Sequence, residues 1–504
     1  MTFQAKAVII KEQENPTWPR IPDDSEEIAV TRILPRVIFL FILTATTVVF
    51  LAAAVSLNGC SGSNGRPNIL LIILDTVRDD YTGVSGGTRG LTPALDAVAA
   101  EGTVFHEAWA NAPWTVPSHA SMFTGVLSST HDCNHQHTRL NDDWKTAAEY
   151  IADQGYETAA FYSNPWLSDR TTGLLRGFAL KSEAPASGGN PAFRGDQGGE
   201  TTRRQFRDWL EHRTTDKPFF AYVNFLEAHH PYDPPTKFRT DHLANLPAGD
   251  QVSSNWVMEY QAGLHPPETV DWARVSALYG GDVNTTDGLL AGVMAALEDL
   301  GVLDDTVVII TSDHGEHLGE HGLIAHQFSV NEPLLAVPLV IRAPGRLEPG
   351  DRYEPVMLSD LFTTLLDVAG VEPSPKRRHS ISLMSDLEPG PRPLIAEYYK
   401  PNNSLTGALR RLNPSLDVAP LSRSYRTLRL GDLRLTVDSD QRTILHNIAV
   451  DPHQLVDISR DQRNETRALK SLLLESLEIS PTSDEDISID PATREQLRSL
   501  GYIH

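Results

Sequence analysis

The amino-acid sequence predicts an α/β fold in which a large, mostly parallel sheet is sandwiched by helices and followed by a small C-terminal antiparallel sheet with a helix. Continuous apolar runs, typical of parallel strands buried on both faces, occur at 68–74, 158–161, 219–225, 306–310 and 339–341. Helical stretches alternate with them at 92–101, 144–154, 201–212 and 275–300. Alternation of strands and helices indicates a parallel sheet that is covered on both faces.

The C-terminal part of the chain has a different pattern. Short strand-like pieces at 425–430, 433–437 and 442–447 are separated by Gly-Asp and Asp-Ser-Asp turns, and a polar helical tail follows from about Asn464. This pattern predicts a small antiparallel sheet. We therefore divide the folded part into a large domain at 68–395 and a C-terminal subdomain at 396–504. Two long loops, 187–196 and 230–267, are expected to face a substrate.

Composition and charge exclude several classes of function. The chain has 504 residues, with 66 Asp and Glu against 43 Lys and Arg, a net charge of −23, 40% hydrophobic residues and two cysteines. This composition is typical of a globular protein. The negative charge disfavours nucleic acid as a partner, and it requires a metal or local cations if the substrate is an anion. Two cysteines allow at most one disulfide and no cysteine-rich zinc site.

An uncharged run of 21 residues, 37–57, is long enough to cross a membrane. Arg32 and Arg36 precede it, which favours a cytoplasmic segment at 1–36 and places the rest of the chain outside the cytoplasm. The run ends Leu57-Asn58-Gly59-Cys60, which is similar to the cleavage box of bacterial lipoproteins. We therefore expect either a single-pass signal anchor or a lipoprotein signal with Cys60 lipidated, followed by a Gly/Ser-rich tether at 58–67.

Polar residues follow two of the predicted strands. Asp75 comes directly after the strand at 68–74, and Asp313 and His314 follow the strand at 306–310. Because carboxyl ends of parallel strands meet at one edge of a sheet, these side chains can converge on one divalent metal. Two carboxylates and one imidazole suit zinc or manganese better than calcium. The alternative is that both aspartates are helix N-caps and that Thr115 is a turn residue.

Three segments together resemble the sulfatase branch of the alkaline phosphatase superfamily: 68–80 ending in Leu-Asp-Thr-Val-Arg-Asp-Asp, 112–125 containing Thr-Val-Pro-Ser-His, and 311–322 beginning Thr-Ser-Asp-His-Gly-Glu. The resemblance covers roughly residues 66–395. It implies an alkaline phosphatase-like fold, a divalent metal held by Asp75, Asp313 and His314, and a nucleophile at Thr115 that also binds the metal. A bound metal lowers the pKa of a hydroxyl, which is how a threonine can act as a nucleophile.

The sequence also departs from this family's pattern. Formylglycine-dependent sulfatases need Cys or Ser where this chain has Thr115, so formylglycine cannot form there. Thr76 stands where the family has a second aspartate, His119 replaces an arginine, and His326 replaces a lysine. A threonine nucleophile with this ligand set instead resembles the phosphoryl-transfer members of the superfamily, namely nucleotide pyrophosphatases and membrane-anchored lipoteichoic acid synthases.

The resemblance implies a covalent mechanism. Thr115 would attack the sulfur or phosphorus of an ester, His119 would help the metal to stabilise the equatorial oxygens, and His229 or His326 would protonate the leaving alkoxide. We expect one divalent ion (Mn, Zn or Ca). A second metal is an alternative, and its ligands would be drawn from Glu227, His229, His230 and His326. His135 lies outside the family motifs, so it is read either as a surface residue or as a functional one.

The sequence thus predicts a membrane-attached, extracytoplasmic hydrolase of sulfate or phosphate esters. Its substrate would be an anionic ester of a glycan, a lipid or a small molecule. Loss of fixed cations favours a singly charged sulfate ester or phosphodiester over a doubly charged substrate. Two alternatives stay open: a phosphoglycerol- or phosphoethanolamine-type transferase or phosphodiesterase, and an inactive metal-binding module.

Overall fold

The structure is a computed structural model that describes residues 65–477, except 88, 186–195, 236–250, 373, 374, 376, 388 and 389. The predicted cytoplasmic segment, the membrane span at 37–57, Cys60 and most of the tether lie outside these residues. So do residues 187–195 of the first predicted loop, residues 236–250 of the second, and the tail after 477. Among the helices of the described part, none is both long and apolar enough to span a membrane.

The strands of the described chain form one large sheet and three smaller ones. In chain order they are β1 Asn68–Leu74, β2 Thr103–Phe105, β3 Ala108–Trp109, β4 Glu157–Tyr162, β5 Leu180–Glu183, β6 Phe219–Phe225, β7 Thr306–Thr311, β8 His317–Leu318, β9 Ile324–Ala325, β10 Leu339–Arg342, β11 Gly350–Arg352, β12 Val356–Met357, β13 Leu394–Tyr398, β14 Tyr425–Leu430, β15 Leu433–Asp438 and β16 Thr443–Asn447.

The α-helices connect these strands and cover the large sheet. They are α1 Pro93–Ala99, α2 Thr115–Thr124, α3 Ser128–His131, α4 Ala147–Asp153, α5 Gly199–Glu211, α6 Ser254–Gln261, α7 Trp272–Asp299, α8 Glu332–Leu335, α9 Asp360–Ala369, α10 Asn403–Leu412 and α11 Arg463–Ser476.

The large sheet has eight strands in the order β11-β2-β10-β7-β1-β6-β4-β5. Strand β1 pairs in parallel with β6 and β7, and β4 pairs in parallel with β5 and β6. Strand β10 is antiparallel to both β7 and β2. The predicted mostly parallel sheet is therefore confirmed, with β10 as its reversed member.

Helices cover both faces of this sheet. Alternate residues of β1 point to opposite sides: Ile69, Leu71 and Ile73 pack with α2, α4 and α9, whereas Leu70, Ile72 and Leu74 pack with α1, α5 and α7. Every one of these β1 side chains is at most 2% exposed. A strand buried on both faces needs a continuous apolar sequence, which is why the apolar run predicted β1 with its observed bounds.

Helix α4 is shorter than the sequence predicts, because its first turn is fixed by a capping box. The Thr146 hydroxyl accepts a hydrogen bond from Glu149 N (3.2 Å), and the Glu149 carboxylate accepts one from Thr146 N (2.8 Å). These reciprocal bonds satisfy two backbone donors that have no partner within the helix. The helix therefore starts at Ala147, three residues after the predicted Trp144.

The C-terminal strands form the predicted small antiparallel sheet, in the order β13-β14-β15-β16. Helix α11 contacts this sheet. The boundary that we predicted at 395/396 falls inside β13. Buried Arg434 of β15 links the small sheet to the large domain: its Nη1 donates to Glu332 Oε2 (2.8 Å), and its Nη2 donates to the Val330 carbonyl.

Candidate active site

The predicted metal ligands meet at the carboxyl-terminal edge of the large sheet. Asp75 follows β1, and Asp313 and His314 follow the neighbouring β7, whose Thr311 is paired with Ile73. One ligand atom from each of the three side chains lies within 4.8 Å of the others. All three residues are 0% exposed.

The hydrogen bonds around these ligands leave one atom of each without a partner. Asn164 and Asn224 donate to Asp75 Oδ2 (2.8 and 3.1 Å), and the backbone N–H groups of Thr76 and His314 donate to Asp313 Oδ1 (3.3 and 3.0 Å). Asp75 Oδ1, Asp313 Oδ2 and His314 Nε2 make no hydrogen bond in the described structure.

The ring of His314 is oriented for metal binding. Its Nδ1 donates to the Gly315 carbonyl (3.0 Å), so Nε2 carries the lone pair. Three buried, unpartnered ligand atoms are costly unless a cation binds them. The donor set therefore fits a divalent ion.

The environment of the two carboxylates favours a cation as well. Burial and the negative charge of Asp313 together raise the pKa of Asp75 to about 7. Burial also raises the pKa of Asp313 to about 7, against hydrogen bonds that lower it. The pKa of His314 is lowered by burial. A neutral imidazole beside two carboxylates is the protonation state that ligates a metal.

Thr115 is the first residue of α2, and Trp114 is its extended N-cap. The side-chain amide of Asn164 donates both to Thr115 Oγ1 (3.2 Å) and to Asp75 Oδ2 (2.8 Å), so it holds the hydroxyl beside the ligand set. Ser118 Oγ donates to the Asp313 carbonyl (2.7 Å) and fixes the first turn of α2 against the end of β7. A helix N-terminus also favours negative charge that develops near it.

Thr76, which stands at the family's second aspartate position, has a left-handed backbone with φ of 60°. Left-handed conformations are unfavourable for β-branched residues, and they concentrate at functional sites. Tyr279 holds this one in place, because its hydroxyl donates to the Thr76 carbonyl (2.7 Å) and accepts from Arg78 N (2.9 Å). The conformation directs Thr76 N–H onto Asp313.

His119 is enclosed by the protein. Its Nδ1 donates to the Thr115 carbonyl (2.9 Å), its Nε2 accepts from the Tyr222 hydroxyl (2.8 Å), and burial lowers its pKa to about 3. Both nitrogens of this neutral ring are thus engaged. His119 thus bonds to the first turn of α2, and its Nδ1 also lies 3.6 Å from Asp313 Oδ2. The contact of His119 with a substrate stays a prediction.

A second group of ligating side chains lies next to the first. Ligand atoms of His229, Glu316 and His326 are within 4.8 Å of one another. Glu316 Oε1 bonds to His326 Nδ1 (2.8 Å), its Oε2 accepts from the Tyr232 hydroxyl, and His229 Nδ1 donates to the His230 carbonyl (2.6 Å). The His314 and His326 rings are 4.6 Å apart, so the two groups are contiguous.

Glu227, which we considered as a ligand of a second metal, has a different environment. Its Oε1 accepts a hydrogen bond from Gly199 N (2.7 Å) at the start of α5. Burial and the charge of Asp196 raise its pKa to about 7. Glu316 takes its place in the group of ligating side chains.

Several residues of the site carry little or no signal in the sequence. Asn224 carried a signal, because it is a polar residue inside the apolar run of β6. Glu316 is part of the motif at 311–322 but has no role that the motif reveals, and Asn164 follows β4 at the same sheet edge as Asp75. Arg78 also lies nearby and donates to the Glu316 carbonyl (3.0 Å), but its guanidinium pairs with Asp80 and Glu320.

A mostly parallel sheet that carries an Asp, Asp, His ligand set and a helix-terminal hydroxyl at one edge defines a class of α/β enzymes that hydrolyse anionic esters. The Sulfatase family profile matches residues 67–371. The chain therefore belongs to the sulfatase family of the alkaline phosphatase superfamily, and it is a hydrolase of sulfate or phosphate esters.

Individual relatives agree with this assignment. Arylsulfatase K of Homo sapiens is 25% identical over 476 residues, covering 83% of this chain and 84% of its own. The solved phosphonate monoester hydrolase of Agrobacterium radiobacter has a TM-score of 0.64 at 21% identity, covering 82% of this chain and 95% of its own. A protein solved with its substrate D-glucosamine-2-N,6-O-disulfate has a TM-score of 0.62 at 20% identity, covering 82% and 97%. These structures confirm the fold.

Proposed function

We propose that this protein is a metal-dependent hydrolase that uses Thr115 as a covalent nucleophile on a singly charged sulfate ester or phosphodiester. The observation that carries the proposal is the position of Asn164, whose amide donates to both Thr115 Oγ1 and Asp75 Oδ2. One side chain thereby places the nucleophile beside the ligand set. The proposed membrane attachment rests on the uncharged run at 37–57.

Asp75, Asp313 and His314, together with Thr115, would hold one divalent ion. Mn or Zn suits this mixed oxygen and nitrogen set better than Ca. Such an ion would lower the pKa of the Thr115 hydroxyl and offset charge on the reacting group. Asp75, Asp313 and His314 suit this role, because each has a buried oxygen or nitrogen atom without a hydrogen bond in the described structure.

The side chains support a double displacement. The Thr115 hydroxyl would pass its proton to the neutral ring of His229 or His326 as Thr115 Oγ forms a bond to sulfur or phosphorus and the ester bond breaks. The same ring would then return that proton to the leaving alkoxide. Water then attacks the threonyl ester and releases the inorganic product. Glu316 assists by bonding His326 Nδ1, which fixes the orientation of that ring.

Charge in the site favours a monoanionic substrate. Asp75 and Asp313 bring two acidic groups, and burial keeps the nearby histidines His119, His229 and His326 neutral by lowering their pKa values. The nearby cation Arg78 already pairs with Asp80 and Glu320. The second negative charge of a doubly charged ester would therefore have little positive side-chain charge nearby to offset it.

A second candidate is a two-metal phosphodiesterase or a transferase to an alcohol acceptor. The contiguous group of His229, Glu316 and His326 favours a second cation. A metal count on the purified chain separates the cases: two equivalents favour this candidate, and one equivalent excludes the second ion. Transfer is distinguished from hydrolysis by product analysis with glycerol added as acceptor.

The experiment that tests the proposal compares the full-length protein with Thr115→Ala and Thr115→Ser on an aryl sulfate, an aryl phosphate and a bis-aryl phosphodiester, each with Mn, Zn or Ca. We expect Thr115→Ala to lower kcat by at least about 10³-fold while metal content stays near that of the wild type. Thr115→Ser, which keeps a hydroxyl, should retain part of the activity. Undiminished activity of Thr115→Ala would exclude the nucleophile, and wild-type inactivity on all three substrates would favour the binding module.

A further inference from the structure

The short turn after β6 carries His229, one of the two rings to which the proposed reaction assigns proton transfer. The chain turns directly after the strand, because His229 N donates to the Leu226 carbonyl (3.0 Å). The His229 side chain is buried, and its ring centroid lies 5.1 Å from that of His326. The contacts that hold this turn therefore determine where the His229 ring lies in the site.

Gln197, which lies two residues before the start of α5, bridges two backbone carbonyls of this turn. Its Nε2 donates to the His229 carbonyl (2.5 Å) and to the Glu227 carbonyl (3.3 Å). Only the NH₂ end of an amide can donate to two acceptors, so these bonds fix the orientation of the side chain. The other end, Oε1, is buried and makes no hydrogen bond in the described structure. A buried oxygen in that state is costly, so the bridge stabilises the turn at the expense of Gln197 itself.

The contact between the turn and α5 is reciprocal. Glu227 Oε1 accepts a hydrogen bond from the backbone N of Gly199 (2.7 Å), the first residue of α5. An N–H group at the start of a helix has no partner within the helix, so the Glu227 side chain supplies one. The turn is thus held twice: Gln197 binds its carbonyls, and α5 binds its carboxylate.

Gly198 fixes the position from which Gln197 reaches the turn. It has a left-handed backbone with φ of 101°, and its N donates to Asp196 Oδ1 (2.9 Å). A Cβ at this position would lie 2.9 Å from Ser163 Cβ and 3.2 Å from the Pro185 carbonyl oxygen. Because only glycine accepts both the conformation and this close approach, the backbone beside Gln197 is tightly placed against the end of β4.

The turn also determines which nitrogen of His229 carries the proton. His229 Nδ1 donates to the His230 carbonyl (2.6 Å), so Nε2 carries the lone pair. Burial lowers the pKa of His229, which keeps the ring neutral. The carbonyl that accepts from Nδ1 belongs to the residue that follows the carbonyl held by Gln197. A shift of the turn would therefore disturb both the place and the tautomer of the ring.

We propose that Gln197 is a positioning residue for the reaction, because it holds the turn at 227–229 so that His229 can transfer the proton. His229 Nε2 takes the proton of the Thr115 hydroxyl while Thr115 Oγ bonds to sulfur or phosphorus. The bond to the leaving oxygen breaks, and Nε2 returns the proton to that oxygen; no bond of Gln197 changes. The inference rests on the proposed function, and it selects His229 from the two rings considered there.

The test compares esters whose leaving groups differ in their need for a proton. The probes are 4-nitrophenyl sulfate with phenyl sulfate, and bis(4-nitrophenyl) phosphate with diphenyl phosphate, on the metal-loaded full-length protein. Phenolate is the more basic leaving group, so its departure depends more on a proton donor. We expect kcat/KM for the phenyl esters to fall by about 10²-fold in His229→Ala and by about tenfold in Gln197→Met. Both variants should lose less than about threefold on the nitrophenyl esters.

Three further variants exclude a general structural effect, which would lower activity equally on both kinds of ester. Gln197→Glu keeps the shape of the side chain but removes both donors, and it should show the same dependence on the leaving group if the methionine variant unfolds. Gln205→Met is the matched control, a half-buried glutamine of α5 whose Oε1 also makes no hydrogen bond in the described part of the chain, and it should react as the wild type does. Gln197→Met combined with His229→Ala should lose no more than His229→Ala alone, because Gln197 acts through that ring.

The outcomes separate this inference from the proposed function. If His229→Ala depends on the leaving group but both Gln197 variants do not, or if the losses of the double variant are additive, the role of Gln197 is overturned and the proposed function stands. If His229→Ala shows no such dependence, proton transfer by His229 is excluded and this inference fails with it. Inactivity of the wild type on every probe would overturn the proposed function and this inference together.

Discussion

At the scale of single residues, the most informative contacts are those of two asparagines that hold the same carboxylate oxygen. Asn164 and Asn224 both donate to Asp75 Oδ2, but only Asn164 also donates to Thr115 Oγ1. Both asparagines therefore orient the metal ligand Asp75, whereas only Asn164 also orients the proposed nucleophile Thr115. Hydrogen bonds to ligands tune metal affinity, whereas bonds to the nucleophile control its geometry.

Replacing each asparagine by alanine should give different kinetic results. Asn164→Ala is expected to lower kcat on the order of 10²-fold, and Asn224→Ala by much less, because the Thr115 hydroxyl keeps its partner in the second variant. Both should weaken metal binding to a similar extent. Steady-state kinetics at saturating metal, with a metal titration for each variant, provide the measurement. Equal losses of kcat would contradict the proposed role of Asn164.

Residues of the site differ in how far the sequence could predict them. Asp75, Asp313 and His314 follow apolar runs, so their place at the sheet edge could be inferred, and the family resemblance added their chemistry. Asn164 could not be assigned, because its role depends on where β4 lies relative to β1, and β6 separates them. The left-handed backbone of Thr76 was equally hidden, since a β-branched residue gives no signal for that conformation.

At the scale of elements, buried Arg434 connects β15 to the large domain. It is 1% exposed, and it bonds to the Val330 carbonyl just before α8 and to Glu332 at the start of that helix. Its guanidinium also lies over the Trp109 ring, 4.8 Å from the centroid. Removing one partner of such a buried network leaves the other groups without compensation.

Arg434→Met should lower the free energy of unfolding by about 3 kcal/mol. The side chain keeps most of its apolar volume, so the loss would come from the ion pair and the hydrogen bonds. Arg423→Met is the matched control: Arg423 pairs with the largely exposed Asp440 and lies 3.7 Å from Asp438, so its loss should lower the stability far less. Urea denaturation of both variants checks the difference; similar midpoints for Arg434→Met and the wild type would argue against the link.

Strands could be predicted from the sequence where burial on both faces determines which residues are apolar. They could not be predicted where the neighbouring strands determine the direction or the exposure of a strand. Strands β1, β6 and β7 are buried along nearly their whole length, so their sequences are apolar runs that predict strands. The direction of β10 could not be predicted, because an apolar run of three residues looks the same in parallel and antiparallel pairing. Edge strand β5 is Leu-Lys-Ser-Glu with exposed ends, so it carries no apolar signal.

At the scale of the whole molecule, a net charge of −23 is combined with a cluster of buried carboxylates at the site. Burial raises the pKa of Asp75 and of Asp313 from 3.8 to about 7. A raised carboxyl pKa means that the folded state binds protons more tightly than the unfolded state does. Without metal, stability is therefore lost as the pH rises from about 4 through 7.

Metal removal should accordingly have a pH-dependent effect. We expect the Tm difference between metal-loaded and chelator-treated protein to be small at pH 5 and larger at pH 8, because ionised carboxylates bind the cation and repel each other without it. Differential scanning calorimetry at the two pH values measures this gap. Asp75→Asn should reduce the gap at pH 8, and a gap that is equal at both pH values would contradict the proposed ligand set.

Membrane attachment is a separate prediction of the N-terminal sequence. The full chain should sediment with membranes, and deletion of 1–57 should release it. Cys60→Ala distinguishes the two alternatives: a signal anchor keeps the protein in the membrane fraction, whereas a lipoprotein loses its lipid and accumulates as an unprocessed precursor. Fractionation with intact-mass measurement of the mature protein gives the readout. A full chain that stays in the supernatant would contradict both.

The walls of the small cavity beside Thr115, which include Trp114, Gln327, Asn402 and Leu405, differ in how freely they can be substituted. Trp114 precedes the nucleophile and Gln327 follows His326, so substitutions there also disturb the reacting groups. Asn402 is the N-cap of α10 and Leu405 lies in its first turn, and neither belongs to the two groups of ligating side chains. Divergence in substrate choice among relatives should therefore accumulate on α10, and a mutant library aimed at new substrates is best concentrated there.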